Sequence, residues 1–255
     1  MITDSFDNRT PAKINLTANP DAVRVDAVIF TFSHVIEEYV VSNFACEKVG
    51  ALYMAHGSTN VYCFEYNGRK YGFYRTWVGA PACAATVEEI CTVLKTDRII
   101  HFGGAGCLNK EIARGKVMIP TAAYRDEGTS YHYAPASDYI TVKNADVVAA
   151  CMAANKIPYA MGKTWTTDAF YRETVGNFEK RKADGCISVE MEGSAVQAVC
   201  DFRHLDVYMF FTSGDLLDAP EWTQRRKEGQ VKGTQHDTGH FDIALALAEF
   251  VSAGK

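Results

Sequence analysis

The chain has 255 residues, 47% of them hydrophobic and 22% charged, with a formal net charge of −5. That balance suits one large globular domain with a sizeable core, and it argues against a broad basic face for nucleic acid. A small anion site made by a few residues stays compatible with it.

The N-terminal stretch Met1–Ser5 has no basic segment followed by an apolar run, so no secretory leader is expected. No apolar run approaches the roughly 18 residues that a bilayer demands, so no membrane partner is expected. Eight cysteines are scattered from Cys46 to Cys200 with no C-x-x-C pair and no Cys/His cluster at zinc spacing. They read as buried thiols of a cytoplasmic protein, with no metal site.

Strand-like and helical patterns alternate along the chain. Val25 to Phe32 reads as a strand and Val35 to Phe44 as a helix. Val61 to Tyr66 and Tyr71 to Val78 flank Asn67-Gly68, a strong hairpin signal. Ala84 to Leu94 is helical by period, starting near Thr86. Arg98 to Phe102 is a short buried strand that enters a glycine turn, Gly103-Gly104-Ala105-Gly106. Lys116 to Ile119 reads as a strand ended by Pro120. Ala145 to Asn155 is helical, Tyr159 to Thr166 a strand, and Thr174 to Lys182 a helix. Cys186 to Val189 leads into a helix whose apolar positions Met191, Ala195, Val196, Val199 and Phe202 share one face. Asp206 to Thr212 is a strand and His240 to Ser252 the closing helix. The polar, charged segment Leu216 to Thr238 reads as a long loop or lid. This alternation predicts a single-domain α/β protein, a mixed twisted β-sheet with helices on both faces.

In such sheets ligands gather beyond the carboxyl ends of strands. Four strand ends carry candidate chemistry: Gly103 to Gly106, Thr166 to Tyr171, Glu190 to Glu192, and Ser213-Gly214-Asp215. The glycine run lets backbone N–H groups approach an anion or a sugar, although it lacks the G-x-G-x-x-G frame of a dinucleotide site. Glu190 and Glu192 can accept hydrogen bonds from a polyhydroxylated ligand, with Met191 as a soft apolar surface under a sugar ring. The segment Thr166 to Tyr171 offers an aromatic platform for a flat ligand. Asp215 is placed to act as a general acid, or else as a turn former.

These residues carry a resemblance. Asn67-Gly68-Arg69-Lys70, Arg98 to Gly106, Thr167-Asp168-Ala169-Phe170-Tyr171, Val189-Glu190-Met191-Glu192-Gly193 and Thr212-Ser213-Gly214-Asp215 follow the order and spacing of the nucleoside phosphorylase family. That family also holds uridine phosphorylases and methylthioadenosine/adenosylhomocysteine nucleosidases. The resemblance runs from about residue 25 to 250. It implies one three-layer α/β/α domain over residues 1–255, with residues 1–22 as an N-terminal extension and residues 216–238 as a loop or lid. It implies cleavage of the N-glycosidic bond of a ribonucleoside, foremost phosphorolysis of a purine nucleoside to free base and ribose-1-phosphate. Glu192 inherits the ribose hydroxyls, with Met191 and Glu190 beside the sugar. Phe170, Val189, Glu190 and Asp215 line the base, and Asp215 is the acid that protonates it. Phosphate is a co-substrate and no organic cofactor is implied. Family members are homo-oligomers, from dimers to hexamers, with shared active sites.

The chain also departs from the family. The Gly-Asp-Pro-x-x-Arg phosphate turn is replaced by Thr31-Phe32-Ser33-His34-Val35-Ile36. His101 stands where an arginine precedes the glycine turn, Gly104 replaces its Ser or Thr, and His56 falls near the arginine that a neighbouring subunit supplies. The nucleophile pocket implied by the resemblance is therefore His101, Gly103, Gly104 and His56. Two histidines in place of two arginines weaken a dianion site. This leaves hydrolysis by water open, with Glu37 or Glu38 near the catalytic Glu of the nucleosidase branch. Uridine-type specificity and a binding protein without catalysis are further alternatives. A closure by Arg225, Arg226 and Lys227 over Asp215 is a last expectation.

Overall fold

The structure is a computed structural model, and it describes residues 1–17, 19–112, 115–219, 223–224 and 236–253. After a single 3-10 turn at Ile2–Asp4 come strands β1 (Val23–Arg24) and β2 (Ala27–Thr31) and helix α1 (His34–Asn43). Strands β3 (Glu47–Met54), β4 (Gly57–Tyr66) and β5 (Arg69–Arg75) form an antiparallel meander. Helix α2 (Ala80–Glu89) leads to β6 (Leu94–Lys95), β7 (Arg98–Cys107), β8 (Val117–Asp126) and β9 (Tyr139–Thr141). Helix α3 (Ala145–Ala154), β10 (Tyr159–Thr167), α4 (Val175–Ala183), β11 (Cys186–Glu190) and α5 (Gly193–Arg203) follow. The chain then runs through β12 (Asp206–Leu216), β13 (Thr223–Gln224) and α6 (His236–Ser252).

An 11-stranded mixed sheet has the order β13-β12-β8-β10-β11-β7-β2-β5-β4-β3, with β9 paired to β8. Because β12 also pairs with β7, the five strands β7, β11, β10, β8 and β12 close on themselves. The predicted mixed sheet is therefore present, and it curls into a closed circuit at one end.

The central strands are buried on both faces, which is why β2 reads as an unbroken apolar run. Val28 and Phe30 face a cluster with Cys83, Ala84 and Val87 of α2 and Val196, Val199 and Cys200 of α5. Ala27 and Ile29 face the opposite cluster, with Ile36 and Val40 of α1, Val148 and Met152 of α3, and Phe241 and Leu245 of α6. Each of the larger of these side chains contributes roughly 1.5–3 kcal/mol by leaving water, so the sheet is held from both sides. The Asn67-Gly68 hairpin forms as predicted, with φ of 49° and 74° and Tyr66 opposite Arg69.

Several boundaries differ from expectation for physical reasons. Helix α2 starts at Ala80, with Pro81 in its first turn and Gly79 at φ 103° before it, and Leu94 belongs to a strand. Pro120 lies inside β8; it pairs with Gly162, and the register shifts just beyond, which accommodates the missing N–H. The glycine run is not a turn, since β7 continues through it to Cys107. Glycine is needed there for close approach: a Cβ on Gly106 would lie 2.6 Å from Leu217 and 2.8 Å from Val189. Of the 216–238 segment, residues 220–222 and 225–235 lie outside the described residues, so the closure by Arg225, Arg226 and Lys227 does too.

Candidate active site

Strand β2 leaves β7 after the Phe30–His101 pair, and β11 joins β7 at Gly106. Between these points one edge of β7 opens onto a cleft of about 360 Å³. Its walls are Phe32, Val78, Gly104, Ala105, Gly106, Val189, Glu190, Met191, Glu192, Gly214 and Asp215. The cleft sits where strand neighbours change, and backbone as well as side chains can meet a ligand there. Residues from the entry to α5 and the end of β12, far apart in sequence, share this one space.

Glu192 is 6% exposed, and its Oε1 accepts the backbone N–H of Gly79 at 2.6 Å. Its Oε2 takes the Met191 N–H at 3.3 Å. Burial, reinforced by the charge of Glu190, pushes the Glu192 carboxyl up to about 8. A cation forming in the cleft would pull it back toward the ionised form. Met191 is half-buried on the same wall. Glu190 also lines the cleft, yet both its oxygens are engaged: Oε1 by Thr166 at 2.6 Å and Oε2 by the N–H groups of Glu192 at 2.8 Å and Gly193 at 2.6 Å. It holds the start of α5 and has little acceptor capacity left for a ligand.

Asp215 lines the same cleft, beside Gly214. Its neighbour Glu173, which ends the 3-10 turn Phe170–Arg172, carries no signal in the sequence pattern. Burial first, then the charge of Asp215, raises the Glu173 carboxyl to about 7. A carboxyl raised above its unfolded value favours folding at low pH and loses that contribution as pH climbs through about 7. Glu173→Gln should therefore melt like the parent near pH 4 and at a higher temperature near pH 8; a Tm difference independent of pH would contradict this. Asp168 is also raised by burial, and it accepts the Gly128 N–H at 3.3 Å. Val189 is on the wall, but Phe170 is not: it is 49% exposed and packs on Tyr171 with ring centroids 4.0 Å apart.

The expected nucleophile pocket is only partly assembled. Gly104 is on the wall, and Gly103 lies under the Phe32 ring, 3.3 Å from where its Cβ would be. His101 is not brought to the cleft. It is fully buried among Phe30, Phe32 and Phe211, with neither ring nitrogen hydrogen-bonded. Alternation along β7 turns its side chain into the core beneath α2 and α5 instead of toward an anion. Burial lowers its pKa to about 3. Such a histidine supports folding fully above its unfolded pKa near ~6.5, and that support drains away as pH falls toward about 3. His101→Leu should therefore relieve roughly 2 kcal/mol of acid destabilisation near pH 5, read as a flatter dependence of denaturant midpoint on pH. Equal acid sensitivity in both proteins would refute it. His56 is exposed at the β3–β4 turn, edge-on to Trp77 at 4.9 Å, and is not on the wall. Glu37 is committed to Arg75 at 2.6 Å, and Glu38 is exposed.

Fold and cleft together define a mixed α/β protein with a carboxylate-lined cleft at its strand ends. Residues 32–237 match the model of the Phosphorylase superfamily, and the chain belongs to that family. It is 24% identical over 212 residues to a purine nucleoside phosphorylase DeoD-type of Exiguobacterium sp., covering 82% of this chain and 84% of that one. It is 26% identical over 222 residues to the protein of that name from Alkaliphilus metalliredigens, covering 84% and 88%. A Bacillus velezensis protein of the same name is 27% identical over 189 residues, covering 71% and 76%.

Proposed function

We propose that this protein cleaves the N-glycosidic bond of purine nucleosides by phosphorolysis. The observation that carries the reading is that Glu192 and Asp215 line one and the same cleft. Breaking the bond builds positive charge on the ribosyl ring and negative charge on the departing base. Glu192 holds the ribose hydroxyls and faces the developing cation, with Met191 against the sugar. Asp215 delivers a proton to the base as the C1′–N9 electron pair moves onto it. Phosphate attacks C1′ from the open edge of β7 beside Gly104, and no organic cofactor enters the reaction. The names of the relatives support a purine.

A second copy of the chain completes the site, bringing His56 from its β3–β4 turn, so the working form is a homo-oligomer. The cytoplasm suits its free cysteines. No helix among the described residues is long and apolar enough to cross a membrane.

One observation favours a second reading. The buried, neutral His101 gives a phosphate dianion no charge, and a Phe32 wall gives it no hydrogen bond. Water would then be the nucleophile. Incubating the protein with inosine and phosphate decides between them: the proposal expects ribose-1-phosphate by phosphorus NMR and base release that depends on phosphate. Free ribose at a phosphate-independent rate would overturn it in favour of hydrolysis.

A further inference from the structure

A chain of buried polar groups runs behind the cleft. Thr166, at the end of β10, is fully buried; it donates to Glu190 Oε1 at 2.6 Å and accepts the Ser194 backbone N–H at 3.0 Å. The Thr164 hydroxyl lies 3.3 Å from both that oxygen and the Ser188 backbone carbonyl, and it is itself bonded by the Ser188 hydroxyl at 2.9 Å. With the Glu192 and Gly193 N–H groups on Oε2, Glu190 accepts from three donors, and Thr164 shares its one proton between this carboxylate and the Ser188 carbonyl. An ionised carboxylate, which only accepts, fits that set. The Ser194 hydroxyl continues the chain to Glu127 at 2.9 Å, and Glu127 takes the Ser130 N–H at 2.9 Å. The entry to α5 is pressed onto Glu190, since a Cβ on Gly193 would lie 2.9 Å from Oε1.

We propose that Thr166 is a positioning residue for the reaction: its hydroxyl holds Glu190, whose grip on the N–H groups of Glu192 and Gly193 sets the Glu192 carboxylate in the cleft. The inference rests on the nucleoside-cleaving reading above. Glu190 needs such a holder because it is buried. Burial raises its carboxyl, and the Thr166 hydrogen bond leads the contributions that bring it down. The other titratable groups that act with it are Glu192 at the start of α5 and the Cys83 thiol of α2. Glu127 joins the chain through the Ser194 hydroxyl, whose backbone N–H is bonded to Thr166. A threonine serves here because one hydroxyl can donate to the carboxylate and accept from the helix entry together.

The test is Thr166→Val in the full chain, with Thr166→Ser as the conservative rescue and Thr164→Val as comparator. In each, kcat and KM for inosine are measured from about pH 5.5 to about pH 9, and the Glu190 carboxyl titration is followed by carbon NMR. Thr166→Val should move the Glu190 midpoint up by about one unit and lower kcat/KM about tenfold. Thr166→Ser should restore both, and Thr164→Val, which keeps the shorter bond, should shift both less and in the same direction. A Thr166→Val profile superimposed on the parent, or no rescue by serine, would overturn the proposal. If Thr166→Val does not fold, Thr166→Ala takes its place, and an unshifted Glu190 midpoint in it overturns the proposal. If the parent cleaves no nucleoside, the functional reading fails, and the Glu190 midpoint alone decides the role of Thr166.

Discussion

Glu192→Ala is expected to lower kcat/KM for purine ribonucleosides by about three orders of magnitude. On the proposed reading the carboxylate supplies charge-assisted hydrogen bonds to two ribose hydroxyls, each worth roughly 1.5–3 kcal/mol, and faces the ribosyl cation as that forms. Alanine also strips the acceptor from the Gly79 N–H, which Glu192 holds at 2.6 Å. Glu192→Gln separates the two effects, because its amide oxygen can still accept from Gly79 while the charge is gone. It should fold like the parent and stay strongly impaired. The loss should shrink on 2′-deoxyribonucleosides, which offer one hydroxyl fewer. Steady-state kinetics on matched ribo- and deoxyribonucleosides check this, and equal losses on both would show that Glu192 does not hold the 2′-hydroxyl.

Asp215→Asn should have the second largest effect, and it should depend on the leaving group. Removing a general acid typically costs about 10²–10⁴ in rate. The full loss is expected on inosine and adenosine, whose bases leave as anions unless protonated. A 7-alkylpurine nucleoside already carries positive charge on its base and needs no proton to depart, so the variant should cleave it at close to the parental rate. Uniform loss on both substrate types would assign Asp215 to binding instead of proton transfer.

The parts of the site that were legible in the sequence are those in which chemistry and local structure coincide. Glu190-Met191-Glu192 ends a strand and opens a helix, and Asp215 follows an apolar strand, so residue type and place point the same way. The family match over residues 32–237 agrees with the resemblance that those stretches carry. His101 misled because a single strand position does not announce which side of a curled sheet it faces. Gly103 to Gly106 suggested a turn, whereas β7 runs on through them, and Gly106 lets Val189 of β11 and Leu217 come close to it. Strand β3 is hard to read in the sequence because Leu52 alone of its eight residues is buried and its place is set by pairing with β4. The approach of Glu173 to Asp215 joins a turn after β10 to the end of β12, a contact that only the tertiary fold creates.

A C-nucleoside, whose base is joined to the sugar by a carbon–carbon bond, can bind without being cleaved, and a crystal structure with one bound is the most direct test. The prediction is that the ribose hydroxyls lie within hydrogen-bond distance of Glu192 while the heterocycle reaches Asp215. A ligand seated elsewhere, or a base end turned away from Asp215, would contradict the assignment of this cleft as the place where nucleosides are broken.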